Sequence, residues 1–166
     1  MITVGHAVEE GGQLTASHAT VTGSGSIRVL PKGRISRDSG LTLDGVTIFG
    51  AGTVEAVLVV NPGSSVVARP LPGFPGPAVM VLDVGRFAGT TNRGLLGAET
   101  GAQLILQSTD NGEFRGSEGS ISVRAGALVT CNASLSTGRL FNDGTFTVVG
   151  RSSGSDQVEG TGRLEG

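Results

Sequence analysis

The sequence contains no tryptophan and no tyrosine, a single cysteine (Cys131), a single lysine (Lys32) and two histidines (His6 and His18). Each scarcity narrows the chemistry. One cysteine cannot form an internal disulfide, and with no second Cys or neighbouring His it supports no zinc site. Without Trp or Tyr the chain lacks the stacking platforms of a dedicated carbohydrate-binding module, which leaves a glycan only polar recognition. Charged residues make up 16% of the chain and the net charge is -2. The arginines are scattered singly, so no basic stripe addresses nucleic acid or an anionic membrane surface. The longest apolar run, Ala56–Val60, is far too short to cross a bilayer, so no membrane insertion is expected. The opening stretch MITVGHAVEE lacks the basic and apolar regions of a signal peptide.

Glycine is abundant, 29 in 166 residues, more than twice the usual share of roughly 7%. No three-residue period suggests collagen, and branched aliphatics occur throughout, which argues against disorder. No stretch holds apolar residues at helical spacing over three turns. Many short strands joined by tight turns remain.

A local pattern recurs: an apolar residue, two residues, Gly, two residues, an apolar residue. It appears as Val8–Gly11–Leu14, Val60–Gly63–Val66, Ala98–Gly101–Leu104 and Val123–Gly126–Val129. A one-residue shift brings in the segment around Gly33, and the first half recurs at Phe141–Gly144. Further out lie Ala16, Ala68, Leu106 and Cys131 on one side and His6, Leu58, Leu96 and Ile121 on the other. Apolar residues two apart on both arms mean two strands that each turn one face to a core, with Gly at the corner. Repeats of about 20–30 residues of this kind describe a β-solenoid, in which coils stack to bury a face that no coil buries alone. The segment 119–131 is then one corner of a coil. Val123 and Val129 are expected to ladder to Ala98 and Leu104, not to each other.

The expected organisation is one domain over residues 1–166, with a loop excursion over 69–94 made of a Pro-rich insertion at 69–80 and a second irregular stretch at 83–94. An antiparallel sandwich or an intertwined trimer is the competing architecture, kept open by the unequal repeat steps. The segments SGLTLDGVTIFGAGTVEAVLVVNPGSSVVA and GSISVRAGALVTCNASLSTGRLFNDGTFTVVG resemble right-handed parallel β-helix proteins. They are most similar to the repeats of autotransporter passengers and haemagglutinin-type adhesins. The resemblance implies a three-faced coil of parallel sheets, an extracellular or cell- or virion-surface location, and a structural or adhesive role. The chain departs from the family in its sparse asparagine ladders, with Asn61 and Asn142 alone at matching turn positions.

The same fold hosts polysaccharide lyases and hydrolases, whose sites need converging carboxylates. Here most carboxylates sit beside Gly or Asn at turns, where Asp is favoured for local hydrogen bonds. No catalytic, metal-ligating or cofactor-binding residue is assigned. His6 reads as a partly buried residue and Cys131 as a small buried thiol. Phe74, Arg86, Phe87 and Arg93 lie on or beside the two irregular segments and are of residue types enriched at interfaces, which makes them the candidate partner-contact residues. Neither end shows a capping helix, so the chain reads as a piece of a longer protein or as a module whose open ends meet partners, self-association included.

Overall fold

The computed structural model describes residues 2–4, 13–15, 19–36, 40–84, 90–108, 112–149 and 152–165, with side chains left undescribed at 2–4, 13–15, 117 and 152–159. Every regular element among these residues is a β-strand. Successive coils contribute β1 (Ile2–Val4), β2 (Gln13–Thr15) and β3 (Ala19–Thr22), then β4 (Ser26–Val29), β5 (Arg34–Ser36) and β6 (Leu41–Asp44). Next come β7 (Thr47–Gly50), β8 (Gly52–Glu55) and β9 (Leu58–Val60), followed by β10 (Ser65–Ala68), β11 (Ala78–Asp83) and β12 (Thr90–Asn92). The C-terminal half holds β13 (Leu95–Ala98), β14 (Ala102–Gln107), β15 (Glu113–Val123), β16 (Leu128–Asn132), β17 (Ser134–Asn142), β18 (Thr145–Val148), β19 (Ser152–Glu159) and β20 (Arg163–Glu165).

Each strand pairs in parallel with the strand one coil away, so the chain is a parallel β-solenoid with three faces. The first face carries β1, β4, β7, β10 and β13. The second carries β2, β5, β8, β11, β14, β16, β18 and β20 as a separate sheet. The third carries β3, β6, β9 and β12. The first and third faces merge because β15 is long enough to turn the corner between them, at an irregularity between Gly116 and Ser120. Its first half pairs with β12 and its second half with β13.

The alternation in the sequence drives this arrangement. Strands on all three faces bury every second residue, as in β7 (Thr47–Gly50), β11 and β6. Inward residues form columns along the axis, such as Ile27, Ile48, Val66, Leu96, Ile121 and Leu140 on the first face. On the second face Ile35, Val54, Leu82, Leu106, Cys131 and Val148 do the same. Side chains such as Leu96, Leu104 and Leu106 are fully buried, each worth about 1.5–3 kcal/mol relative to exposure.

The corner around Gly126 behaves as the sequence pattern requires. Val123 pairs with Ala98, and Val129 with Leu104, across one coil. The Gly63 segment shares the turn but not the corner. Asn61–Ser64, Glu99–Ala102 and Arg124–Ala127 each close with a backbone bond from the fourth residue to the first, of 3.0, 2.9 and 2.9 Å. Gly63, Gly101 and Gly126 have φ of 82°, 76° and 72°, the left-handed third position of a type II turn. Gly101 and Gly126 lead from the first face to the second, whereas Gly63 leads from the third to the first. Val66 accordingly pairs with Leu96 rather than aligning with Leu104. Leu14, expected beside Leu104 and Val129, lies in register with Ile35, in the neighbouring column. A turn is set by local chemistry, and the same chemistry serves two corners. Gly11 and His6 lie outside the described residues.

Among the described residues of 69–94, Ala78–Asp83 and Thr90–Asn92 are ladder strands, and the Pro-rich departure from the stack spans residues 69–77.

Candidate functional site

The 69–77 loop leaves β10 at the corner between the first and second faces and returns directly into β11. It is held at several points. The Arg69 amide donates to the Gly50 carbonyl at 3.0 Å, which continues the ladder past the end of β10. The Arg69 guanidinium makes a bidentate contact with Glu99 of the next coil, Nε to Oε2 at 2.9 Å and Nη2 to Oε1 at 2.5 Å. It also lies 5.1 Å from the centre of the Phe49 ring on the preceding coil. The cation is thus gripped from the coils on either side, and the planar fork suits both contacts.

Leu71 turns back onto the stack and is buried. Its Cδ1 would lie 3.2 Å from a Cβ built on Gly50, so the glycine leaves the space that the leucine takes. Leu71–Phe74 then forms another turn, with the Phe74 amide donating to the Leu71 carbonyl at 3.2 Å and Gly73 at φ 83°. Proline at the second position fixes the φ this turn needs. The outcome is a short, pinned loop whose tip, Pro72 to Pro77, is exposed except at half-buried Phe74.

Beside the loop, a shallow groove of about 630 Å³ opens on the outer side of the second face. Pro77 forms one wall, and Gly101, Gly126 and Gly144 line the corner below it. Gln103, Leu128, Thr130, Thr145 and Thr147 form the floor, with Glu165 at the far end. Its polar groups are nearly all neutral hydroxyls and amides.

Of the four residues expected to make partner contact, the two described ones lie on different corners. Phe74 sits on the corner between β10 and β11. Arg93 sits on the corner between β12 and β13, where its amide donates to the Val60 carbonyl at 2.8 Å and its Nε lies 3.4 Å from Glu118 Oε2. Arg86 and Phe87 lie outside the described residues. Segments adjacent in sequence fall on different corners because a strand separates them, so closeness along the chain is a poor guide to closeness in a coil.

Five carboxylates among the described residues are each engaged by one Arg, Glu55 with Arg34, Glu99 with Arg69, Glu113 with Arg115, Glu118 with Arg93 and Glu165 with Arg163. Asp83 accepts from Gln107 Nε2 at 3.0 Å. No group of three or more His, Cys, Asp or Glu among the described residues is placed to hold a metal ion. Cys131 is fully buried, donates to the Ala133 carbonyl at 3.3 Å, and has its thiol pKa pushed up by burial.

Two buried asparagines pin corners. Asn92 Nδ2 donates to the Ser120 carbonyl of the next coil at 3.1 Å, and its Oδ1 accepts from the Gly94 amide at 3.1 Å. Asn142 Nδ2 donates to the Arg163 carbonyl at 3.0 Å. Asn92 was not among the residues the sequence singled out, although it shares with Asn142 a Gly two positions on. Asn61 contributes its backbone carbonyl to a turn instead. Gly116 and Gly119 make room for Asn92, since a Cβ on Gly119 would come within 2.5 Å of its Nδ2.

By architecture, then, the chain is a parallel β-solenoid. Comparison with family models, curated proteins and solved structures finds no match to it.

Proposed function

We propose that this protein is a non-enzymatic structural or adhesive module, a rod that holds the 69–77 loop in one conformation for a partner protein at a cell or virion surface. The observation that carries this reading is the Arg69 clamp. A guanidinium fixed by Glu99 and Phe49, together with buried Leu71, gives a Pro-rich tip little freedom to lose on binding. A pre-ordered loop saves the ordering entropy that otherwise weakens association. Five of the described carboxylates are each paired with one Arg, which supports a role without glycosidic chemistry, since that chemistry needs two carboxyls free to face one bond. Open solenoid ends offer a second route to partners, with further coils or other copies stacking there.

The test is binding of the full chain to candidate host or matrix surfaces, compared with Phe74→Ala and Arg69→Ala. Both variants are expected to bind less while keeping the strand signature in circular dichroism. In the Arg69 variant the loop also becomes a preferred protease target. Binding that neither change affects would sink the loop as the contact element. New reducing ends or unsaturated products from a polysaccharide panel would favour a lyase or hydrolase instead.

A further inference from the structure

One outward column on the second face has an unusual order. Arg34, Thr53, Val81, Ile105, Thr130, Thr147 and Glu165 are successive ladder partners. A cation stands at one end of these seven, with uncharged Gln13 one coil beyond it, an anion stands at the other end, and the members between carry no charge. In the neighbouring outward column Val79 and Leu128 stand one coil to either side of Gln103. Val79, Val81, Ile105 and Leu128 are only half-buried, an apolar patch on a sheet face with nothing packed on it. Such a patch with a polar rim has the anatomy of an interface.

We infer that this face pairs with a second copy of the chain about a two-fold axis that runs along the strands at Ile105. That operation lays the column on itself with the coils in reverse order. Arg34 then faces Glu165 of the second copy, Thr53 faces Thr147, Val81 faces Thr130, and Ile105 faces its own symmetry mate. Both charged ends meet opposite charge, twice over, which a parallel superposition would not achieve. The intramolecular pairs Arg34–Glu55 and Glu165–Arg163 are exposed, so they compete only weakly.

The loop and groove fit the same operation. The loop enters at β11, one coil before Ile105, so the second copy's loop arrives one coil after it. There it meets Gly126 and Leu128, in the middle of the groove and on the same corner. The groove is roomy where the dimer needs space for a proline loop.

The area sets the affinity class. The seven strands from β5 to β20 on this face are three to six residues long. At about 3.3 Å per residue and about 4.8 Å between coils, they cover about 500 Å². Specific interfaces bury roughly 800 Å² per partner, so the dimer sits at the small end and dissociates on dilution. This inference does not depend on the adhesive role. A native chain that dimerises but binds no surface would count against that role alone.

Sedimentation velocity of the 166-residue chain over a concentration series tests it. The expected mass rises to twice the monomer's and stops there. Ile105→Lys brings two cations together on the axis and is expected to give monomer at every concentration with unchanged circular dichroism. Arg34→Glu is expected to raise the dissociation constant about tenfold, because two equivalent pairs are lost. Ile105→Cys is expected to form a disulfide dimer under mild oxidation, and Thr53→Cys is not. A monomer throughout, a dimer that Ile105→Lys leaves intact, or a mass that climbs without a plateau would each overturn the inference. Should Ile105→Lys fail to fold, the contrast between the two cysteine variants decides.

Discussion

Val123 and Val129 flank one turn, yet each finds its ladder partner in the preceding coil, Ala98 for the first and Leu104 for the second. The Arg124–Ala127 turn changes the chain's direction by one face rather than reversing it. Each face therefore has to be self-consistent along the axis, and one misfit residue is felt by the coils on either side. Three predictions follow from misfits and tight fits of this kind.

Thr90 is wholly buried in an inward column between coils that place Leu58 and Phe114 at the same level, and its hydroxyl has no hydrogen-bond partner. Thr90→Val keeps the shape and removes the unpaired group. It is expected to stabilise the fold by about 1 kcal/mol in urea unfolding. A loss of stability would mean that the hydroxyl is satisfied by a buried water.

Two glycines with positive φ should respond very differently to alanine. At Gly126, φ is 72° and the nearest atom to an added Cβ is Thr100 Cγ2 at 3.5 Å. The strain is then conformational, and Gly126→Ala is expected to cost about 1–2 kcal/mol. At Gly50, φ is 122° and the Cβ would fall 2.1 Å from the Val29 carbonyl oxygen. Gly50→Ala must push two coils apart and is expected to cost about 3 kcal/mol or more. Equal midpoints for the two variants would contradict the close stacking at β4 and β7.

Cys131 links stability to alkaline pH. Its ordinary pKa is 9.0, and burial raises it in the folded state. Above pH 9.0 the unfolded thiol loses its proton while the folded thiol keeps it. The folded state then binds more protons, so stability falls as pH rises, fully present below the unfolded pKa and lost towards the folded one. Cys131→Ala is expected to lower stability near neutrality, through a smaller side chain between Leu106 and Val148, and to flatten this alkaline decline. The native thiol is expected to react with a thiol reagent only at the rate of unfolding. Fast labelling of the folded chain would show that the column opens there.

The architecture was legible because its signal is local and repeated. Alternation marks the inward residues, and the type II turn has a short signature that Gly63, Gly101 and Gly126 all carry. Which corner a turn occupies depends on how many residues the rest of the coil uses, and Gly63 shows that this count is not written in the turn. The 69–77 loop was legible only in part. Its prolines stand out, but the residues that fix it, Phe49, Arg69 and Glu99, come from three coils and have no short-range pattern. Arg69 and Glu99 are 30 positions apart, the step that separates Val66 from its partner Leu96. Only the register reveals that they meet. Phe74 and Arg93 each lie on or beside an irregular segment of the sequence, and the intervening strands send them to different corners.

The side-chain bonds between Arg69 and Glu99 and between Gln107 and Asp83 cross the same step, from the coil of β10 and β11 to the coil of β13 and β14. The same step has the six-residue register between β11 and β14. Both bonds hold the outward side chains of two coils to one alignment. A slip of either coil by one residue would break them together with the ladder, so the mount of the 69–77 loop resists sliding as well as opening.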